Sequence, residues 1–151
     1  MKTLIYDLDG TVIDSNHRKL TKADGTLDLA HWVENCTPNK IFRDSLLPLA
    51  RTMRQHIIEG ARVIICTSRV MSEADFAFLR LHRLMCNVVL HRSHSDKRAD
   101  GEYKFAKLTG YLSQQELKGA IMFDDAAEVR SSIRSLGVVV LNPDPINERL
   151  A

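Results

Sequence analysis

The sequence has no long hydrophobic run and almost no excess of either charge. No apolar stretch approaches the roughly 20 residues that a membrane-spanning helix needs. The 21 Lys and Arg and the 19 Asp and Glu give a net charge of +2, which is small for a protein that coats nucleic acid. These features predict a protein outside the membrane. Any basic surface that contacts nucleic acid should be confined to a small part of it.

Cysteine is scarce, and the start of the chain does not resemble a secretion signal. The three cysteines, Cys36, Cys66 and Cys86, are odd in number and widely spaced, and Cys66 lies in an apolar run. We therefore expect free, buried thiols rather than disulfides. Residues 1–8 lack the basic segment, the apolar core and the cleavage site of a signal peptide. Both observations predict a cytoplasmic protein.

Short apolar runs alternate with helical patterns along the chain. Five runs are rich in strand-forming residues: Thr3–Tyr6, Arg62–Cys66, Val88–Leu90, Ala120–Phe123 and Val138–Leu141. Helical periodicity extends from Leu46 to Gly60, from Ser72 to about Met85, from Glu102 to Leu108 and from Ala126 to Leu136. This alternation predicts one α/β domain over residues 1–151 with a doubly wound parallel sheet. The irregular segment at about 15–44 is interpreted as a short insertion or small cap.

Acidic residues directly follow two of the predicted strands. Asp7 and Asp9 leave the first strand, with Gly10 allowing a turn, and Asp124 and Asp125 leave the strand Ala120–Phe123. A turn with solvated acids is the competing interpretation of DxDG alone, but the second acidic pair disfavours it. Because four convergent carboxylates repel one another, a hard cation such as Mg²⁺ is the expected partner. We predict a magnesium site formed by these four acids.

Four segments, in order, resemble the signature motifs of the haloacid dehalogenase superfamily of phosphotransferases: DLDGTVID, ICTSR, a downstream lysine and FDDA. The resemblance spans nearly the whole chain. It implies that Asp7 is the nucleophile that forms an aspartyl-phosphate, and that Asp9 protonates the leaving oxygen and then activates water. It also implies that Thr67 and Lys104 hold the phosphoryl oxygens, while the acids of FDDA bind or orient Mg²⁺.

Receiver domains of two-component signalling contain a similar set of residues on a parallel sheet. A receiver begins with its acidic pair, has its phosphorylated Asp in the middle of the chain and ends with the Lys. Here the predicted nucleophile Asp7 comes first, and the pair Asp124 and Asp125 comes last. The order therefore favours the haloacid dehalogenase interpretation.

The stretch LHRSHSDKRADGEYK, residues 90–104, resembles the D-x-R-x-D-x-x-x-K segment of polynucleotide kinase 3'-phosphatase domains, particularly those of bacteriophages. The matching positions are Asp96, Arg98, Asp100 and Lys104. Arg18 in SNHR and Arg69 at the end of ICTSR match two further arginines of that family. The resemblance implies that Arg18, Arg69 and Asp100 belong to the essential set. Planar guanidinium groups suit a phosphate dianion.

Other residues near these motifs are candidate substrate ligands. Arg92 aligns with another arginine of the family pattern, and we expect Arg92, Arg98 and Ser68 to contact substrate. The competing interpretation is that the charged residues form a solvated loop face. Asp100 is expected to anchor Lys104 or an arginine.

The sequence departs from the polynucleotide phosphatase pattern at one position and lacks a kinase motif. Ala126 follows Asp125 where that family usually has an arginine, and Arg130, one helical turn later, is the expected substitute. No G-x-x-x-x-G-K-[ST] motif occurs. We therefore predict no ATP-binding kinase half in this chain.

Two histidines and the single tryptophan are weaker candidates. His91 and His94 have no further ligand at metal-binding spacing, so we interpret them as loop histidines. Trp32 could stack on a base, but its neighbours Leu29 and Val33 favour packing within the insertion.

These residues predict a Mg²⁺-dependent phosphomonoesterase. A short insertion leaves the crevice open, so the expected substrate is a 3'-phosphorylated nucleic-acid end. Free (deoxy)nucleoside monophosphates are the alternative substrates. A catalytically silent module that binds nucleic-acid ends is the non-enzyme alternative, and intact Asp7 and Asp9 disfavour it. The sequence leaves open the preference for DNA or RNA, the oligomeric state and the pathway.

Overall fold

A five-stranded parallel sheet forms the centre of the protein. The computed structural model describes residues 2–151. The strands in chain order are β1 (Thr3–Tyr6), β2 (Ile13–Asp14), β3 (Ser45–Leu46), β4 (Arg62–Cys66), β5 (Val88–Leu90), β6 (Ala120–Phe123) and β7 (Val139–Leu141). The helices are α1 (Leu29–Glu34), α2 (Pro38–Ile41), α3 (Leu49–Ile58), α4 (Glu73–Leu81), α5 (Asp100–Tyr111), α6 (Gln114–Lys118), α7 (Ala127–Arg134) and α8 (Pro143–Leu150). The main sheet has the order β5-β4-β1-β6-β7.

Alternating residues of the central strand supply the two hydrophobic cores. Leu4 and Tyr6 of β1 pack in a cluster with α3 and α4, while Ile5 packs in a second cluster with α5, α6 and α7. Side chains of a strand alternate between the two faces of a sheet, so helices cover both faces. The predicted doubly wound α/β fold is confirmed, and the five strands match the prediction to within one residue.

The helices agree less closely with the sequence pattern. The predicted start at Ser72 is confirmed by a capping box with Asp75, but α4 ends at Leu81 rather than near Met85. Helix α5 begins before Glu102 and continues through Gly110. Helix α8 lacks a clear apolar periodicity and begins instead with a local signal, an Asn142 cap followed by a proline.

A two-stranded ribbon encloses the irregular segment. Strands β2 and β3 are antiparallel, with Ile13 opposite Leu46 and Asp14 opposite Ser45. Between them lie a 3₁₀ turn at Asn16–Arg18 and the helices α1 and α2. Helix α1 has no buried residue. The role of residues 15–44 as a cap over the site stays a prediction.

The last helix, α8, is hydrogen-bonded to the loop that follows β1. The side-chain amide of Asn147 in α8 donates to the backbone carbonyl of Thr11 at 3.0 Å and accepts from the backbone N–H of Leu49 at 2.8 Å. Asn147 is buried, so both of its hydrogen bonds are shielded from water. This single side chain therefore joins α8, the start of α3 and the loop after β1.

The cysteines are all free, but only Cys66 is buried. Cys36 is exposed because α1 does not pack into a core, and Cys86 is partly buried, so the prediction of buried thiols is wrong for these two. Within residues 2–151, no helix is long and apolar enough to cross a membrane.

Candidate active site

A tight turn after β1 places the first acidic pair at the carboxyl edge of the sheet. The backbone N–H of Asp7 donates to the carbonyl of Phe123 at 3.0 Å, which continues the β1–β6 pairing. The carbonyl of Leu8 then accepts from the N–H groups of three residues, Thr11, Val12 and Ile13, at 3.0–3.1 Å. Gly10 has a φ of +77°, and a Cβ at this position would lie 2.1 Å from Asp125 Oδ2. The positive φ therefore favours glycine here, and a side chain at this position would push the Asp125 carboxylate out of place.

Three of the four predicted acids form one cluster. Asp7, Asp124 and Asp125 each offer a carboxylate oxygen, and these oxygens lie within 4.8 Å of one another. The buried Lys104 Nζ donates to Asp7 Oδ1 at 3.0 Å and to Asp124 Oδ2 at 2.7 Å. We call these four residues the acidic cluster. It brings the predicted nucleophile, the predicted phosphate-holding lysine and the acids of FDDA to one point.

The electrostatics of the acidic cluster suit a divalent cation. Burial raises the pKa of the Asp7 carboxyl well above its usual value, and repulsion from Asp124 and Asp125 adds to this against the opposing effect of Lys104. Asp125 is exposed, yet the partial desolvation of its carboxylate, with Asp124 beside it, also raises its pKa. Three carboxylates share a single ammonium, so a bound dication would neutralise the surplus negative charge with the oxygen ligands that Mg²⁺ prefers. Asp7, Asp124 and Asp125 are therefore the residues fit to hold it.

Asp9 lies outside the acidic cluster, although the sequence predicts it as a metal ligand. Its carboxylate accepts from Arg69 Nε at 2.8 Å and Nη2 at 2.6 Å, and from Ser15 Oγ at 2.6 Å. Burial alone would raise the pKa of Asp9, but the ion pair and the hydrogen bonds outweigh it and hold the pKa well below its usual value. The Asp9 side chain thus faces a guanidinium rather than the other acids.

Arg69 and Arg18 belong to a second buried network. Arg69 Nη1 donates to Asp75 at 2.8 Å, and its Nη2 also contacts Asp44 at 3.2 Å. Arg18 binds both oxygens of Asp44, through Nε at 2.9 Å and Nη2 at 2.8 Å. We call Asp9, Asp44, Asp75, Arg18 and Arg69 the arginine network.

The predicted phosphate contacts of the two arginines stay predictions. The side chain of Arg18 is 1% exposed, and its guanidinium group is already hydrogen-bonded to Asp44. Arg69 is also buried, and its guanidinium holds Asp9. In this structure both arginines contact carboxylates, and the observed partner of Arg69 is the predicted acid–base residue.

The two residues between β4 and Arg69 present hydroxyl groups at the same sheet edge. Thr67 is buried, and its Oγ1 accepts from the backbone N–H of Arg69 at 3.1 Å, which leaves its hydroxyl hydrogen free to be donated. Ser68 Oγ is buried and finds no hydrogen-bond partner among residues 2–151. Both hydroxyls retain the capacity to donate a hydrogen bond, and their contacts with a phosphate or substrate stay predictions.

Arg92 and Arg98 are engaged within their own loop. Arg92 donates to the carbonyls of Ser68, Asp96 and Arg98 at 3.1, 3.2 and 2.7 Å, and to the Asp100 carboxylate at 2.8 Å. Arg98 pairs with the Asp96 carboxylate at 2.6 Å. Asp100 therefore anchors an arginine, as expected, and that arginine is Arg92. Their predicted substrate contacts stay predictions, since both guanidiniums already have protein partners.

The remaining candidates fall in different places. Arg130 Nη1 donates to the backbone carbonyl of Asp124 at 3.1 Å, so it reaches the last motif as expected of the residue replacing the missing arginine. His91 packs edge-on against Phe76, and His94 is exposed. The Trp32 ring lies on Arg18, which belongs to the same insertion, so Trp32 packs within residues 15–44 as expected, against a guanidinium.

The acids that hold the arginines have no signal for these contacts in the sequence. Asp44 is 26 positions from Arg18 and 25 from Arg69, and no local pattern connects them. Asp75 is recognisable only as part of a helix start, whereas it also binds Arg69. Asn147 has no sequence signal beyond its position in a polar stretch.

Solved structures with the same fold are hydrolases and a repair enzyme. A chain of the Pnkp1/Rnl/Hen1 RNA repair complex superposes with a TM-score of 0.65 at 20% identity, over 93% of this chain and 42% of that one. The chain thus spans less than half the length of that relative. A haloacid dehalogenase-like hydrolase from Streptococcus pneumoniae superposes with a TM-score of 0.65 at 13% identity, over 94% of this chain and 84% of that one. Both show the haloacid dehalogenase fold.

Sequence similarity is more specific. A curated protein of Escherichia phage T5, the 5'-deoxynucleotidase, is 32% identical over 171 residues, covering 99% of this chain and 70% of that protein. The sequence profile of the family described as "Bacteriophage T5 5'-deoxynucleotidase" matches residues 1–151. The chain thus has the haloacid dehalogenase fold and belongs to the bacteriophage T5 5'-deoxynucleotidase family.

Proposed function

We propose that this protein removes the 5'-phosphate from free deoxynucleoside monophosphates. The observation that carries this proposal is the match to the T5 5'-deoxynucleotidase family over the whole sequence. It favours the nucleotide alternative over the 3'-phosphorylated nucleic-acid end. The contact of Lys104 with Asp7 and the position of Thr67 directly after β4 support a phosphoryl-transfer role for these three residues.

Asp7 is the nucleophile in the proposed reaction. One of its oxygens attacks the phosphorus atom, and the bond between phosphorus and the 5' oxygen of the sugar breaks. Lys104, held between Asp7 and Asp124, and the Thr67 hydroxyl donate to the phosphoryl oxygens. Because these donors are buried and fixed before substrate arrives, they stabilise the developing charge without reorganisation.

Asp9 transfers the proton. It gives a proton to the departing 5' oxygen, and it then takes one from the water that cleaves the aspartyl-phosphate. In the structure Asp9 is paired with Arg69, which favours its ionised form. The pair must therefore loosen for the first step and can re-form for the second.

A bound Mg²⁺ would neutralise the phosphate and the surplus carboxylates of the acidic cluster. Asp7, Asp124 and Asp125 would hold it. Asp124 is oriented for this by two contacts, from Lys104 and from the backbone N–H of Ala126 at 3.0 Å.

The loop contacts also favour a mononucleotide. A phosphatase of polynucleotide ends needs cations beyond the reacting phosphate, and Arg92 and Arg98 are the expected ones. Both have their charge compensated, by Asp100 and Asp96 respectively. Fewer free cations would bind the next phosphate of a polymer, so affinity for an oligonucleotide should gain little from this loop.

A substrate comparison tests the proposal. We expect kcat/KM to be highest for a deoxynucleoside 5'-monophosphate, lower for the 3'-monophosphate, and lowest for 3'- and 5'-phosphorylated oligonucleotides. The 5'-monophosphate rate should change little between two salt concentrations, since no polymer counterions are released. Phosphate release is measured for all four substrates with Mg²⁺ present.

The control is Asp7→Asn protein purified in the same way, which reveals any contaminating phosphatase. A 3'-phosphorylated oligonucleotide that outperforms the mononucleotides, with an advantage that shrinks as salt rises, would contradict the proposal and restore the polynucleotide interpretation. Absence of phosphate release even from an aryl phosphate would favour the silent binding module.

A further inference from the structure

Trp32 lies beside the arginine network. The Arg18 Cζ is 4.2 Å from the centroid of the Trp32 ring, and the Arg69 Cζ is 5.8 Å from it. Arg69 in turn donates to Asp9 at 2.6 Å. Trp32 is thus in contact with the residues that orient the proposed proton donor.

The helix that carries Trp32 is not part of a hydrophobic core. Helix α1 has no buried residue, and Leu29 and Val33 are 66% and 71% exposed. Trp32 itself is only partly buried. An aromatic ring backed by guanidiniums, with part of its surface in solvent, is available to stack on another π system.

The distance from the reacting bond suits a nucleoside. Arg69 links the two groups: its Cζ is 5.8 Å from the centroid of the Trp32 ring, and its Nη2, one C–N bond away, is 2.6 Å from an Asp9 oxygen. The ring centroid is therefore no more than about 10 Å from that oxygen. Asp9 donates to the 5' oxygen in the proposed reaction, so the sugar and base begin at Asp9. A sugar and its attached base can bridge this span.

We propose that the base of the nucleotide stacks on Trp32. This inference rests on the proposed function and adds a specificity-determining residue to it. The insertion at 15–44 thereby provides the contact that distinguishes a nucleotide from a bare sugar phosphate. Stacking on an aromatic ring tolerates any base because every base has a π face.

Two substrates, one with a base and one without, distinguish loss of base stacking from a disturbance of the arginine network. Wild type, Trp32→Phe and Trp32→Leu are compared on deoxyguanosine 5'-monophosphate and on 2-deoxyribose 5-phosphate, which lacks the base. We expect Trp32→Leu to lower kcat/KM for the nucleotide by on the order of 10-fold, mainly through KM, and to leave the sugar phosphate nearly unchanged. Trp32→Phe should retain most of the nucleotide activity. An equal loss on both substrates in Trp32→Leu would overturn the proposal.

Tyr111→Leu is the matched control variant. Tyr111 is also a partly exposed ring on an arginine, with the Arg62 Cζ 5.3 Å from its centroid, but Arg62 begins β4 and lies at the other edge of the sheet. Its replacement should change neither substrate. A selective nucleotide defect in Tyr111→Leu would show that the kinetic effect does not depend on the site.

Fluorescence gives a direct test, because Trp32 is the only tryptophan in the sequence. In Asp7→Asn, which prevents turnover, deoxyguanosine 5'-monophosphate should quench the emission saturably, whereas 2-deoxyribose 5-phosphate and inorganic phosphate should not. N-acetyltryptophanamide corrects for light absorbed by the nucleotide. Hydrolysis without quenching would refute the base contact alone, and quenching without hydrolysis would refute the proposed function alone.

Discussion

The acidic cluster and the arginine network differ in how their charges are balanced. In the acidic cluster three carboxylates share the single ammonium of Lys104. In the arginine network three carboxylates share the two guanidiniums of Arg18 and Arg69, and His17 Nε2 adds a contact to Asp44 at 2.7 Å. The two groups lie side by side, since Asp7 and Asp9 are two residues apart.

This difference in charge balance distinguishes a cluster that binds ligands from a network that holds the protein's own side chains in place. A cluster with surplus negative charge, two of whose three carboxylates are buried, is unfavourable by itself and is completed by ligands of opposite charge. A nearly balanced network of hydrogen-bonded charges needs no ligand and holds its members in place. The acidic cluster is therefore suited to bind a cation and a phosphate, and the arginine network is suited to fix Asp9 and the insertion.

The largest effect should come from the paired carboxylates of the first turn. Asp7→Asn should abolish turnover because the amide is a poor nucleophile, whereas Asp9→Asn should lower kcat by roughly 10² to 10⁴, the usual contribution of a positioned acid. Single-turnover assays with the proposed nucleotide measure both. Near wild-type activity of Asp7→Asn would remove the covalent mechanism.

Neutralising one acid in each group should change stability in opposite directions. Asp44→Asn should destabilise the fold by about 3–5 kcal/mol, because it leaves buried guanidiniums undercompensated. Asp125→Asn should instead stabilise the metal-free protein, since it removes repulsion from the acidic cluster. Urea unfolding in chelator measures both. A similar loss in both variants would show that the two groups do not differ in the way proposed.

The same measurement across pH sharpens the comparison. The pKa values of Asp7 and Asp125 are raised in the folded state, so the folded protein binds more protons than the unfolded chain. Metal-free stability should therefore fall as pH rises above the usual range of an aspartate. The decline should be smaller in Asp125→Asn, and Mg²⁺ should suppress it in the wild type.

A smaller effect is expected from replacing two glycines, Gly10 beside the acidic cluster and Gly25 in the insertion. Gly10→Ala should lower kcat/KM on the order of 10²-fold, because its Cβ would displace Asp125, in addition to a strain of about 1–2 kcal/mol from the positive φ. Gly25→Ala is the control: its φ is +87°, and no atom lies within 4 Å of the added Cβ. It should show the backbone strain with unchanged kinetics. Equal activities of the two variants would argue against close contact between Gly10 and Asp125 in the working enzyme.

The sequence predicts the members of the acidic cluster, with Asp9 added to them, but not the contacts of the arginine network. Asp7, Asp124 and Lys104 each lie at a strand end or in a motif, so the parallel sheet brings them to one edge. Arg18, Asp44 and Asp75 belong to the insertion and to a helix start, where side-chain direction depends on tertiary packing. The pattern therefore identifies the arginines but not their partners. Trp32 shows the same limit, since the sequence predicts packing within the insertion but not that Arg18 is the residue on which the ring lies.

The bond between Asn147 and Thr11 has a consequence for how the enzyme becomes active during synthesis. It joins residues 136 positions apart, and the central strand β1 pairs only with β4 and β6, which are made much later. The proposed nucleophile is therefore made before both strands that pair with β1, and the contact of Asn147 with its loop forms only after residue 147 has emerged. Contacts of such long sequence separation form late in folding. A nascent chain should thus carry its catalytic aspartates in an unstructured segment, and phosphatase activity should arise in one step when α8 docks.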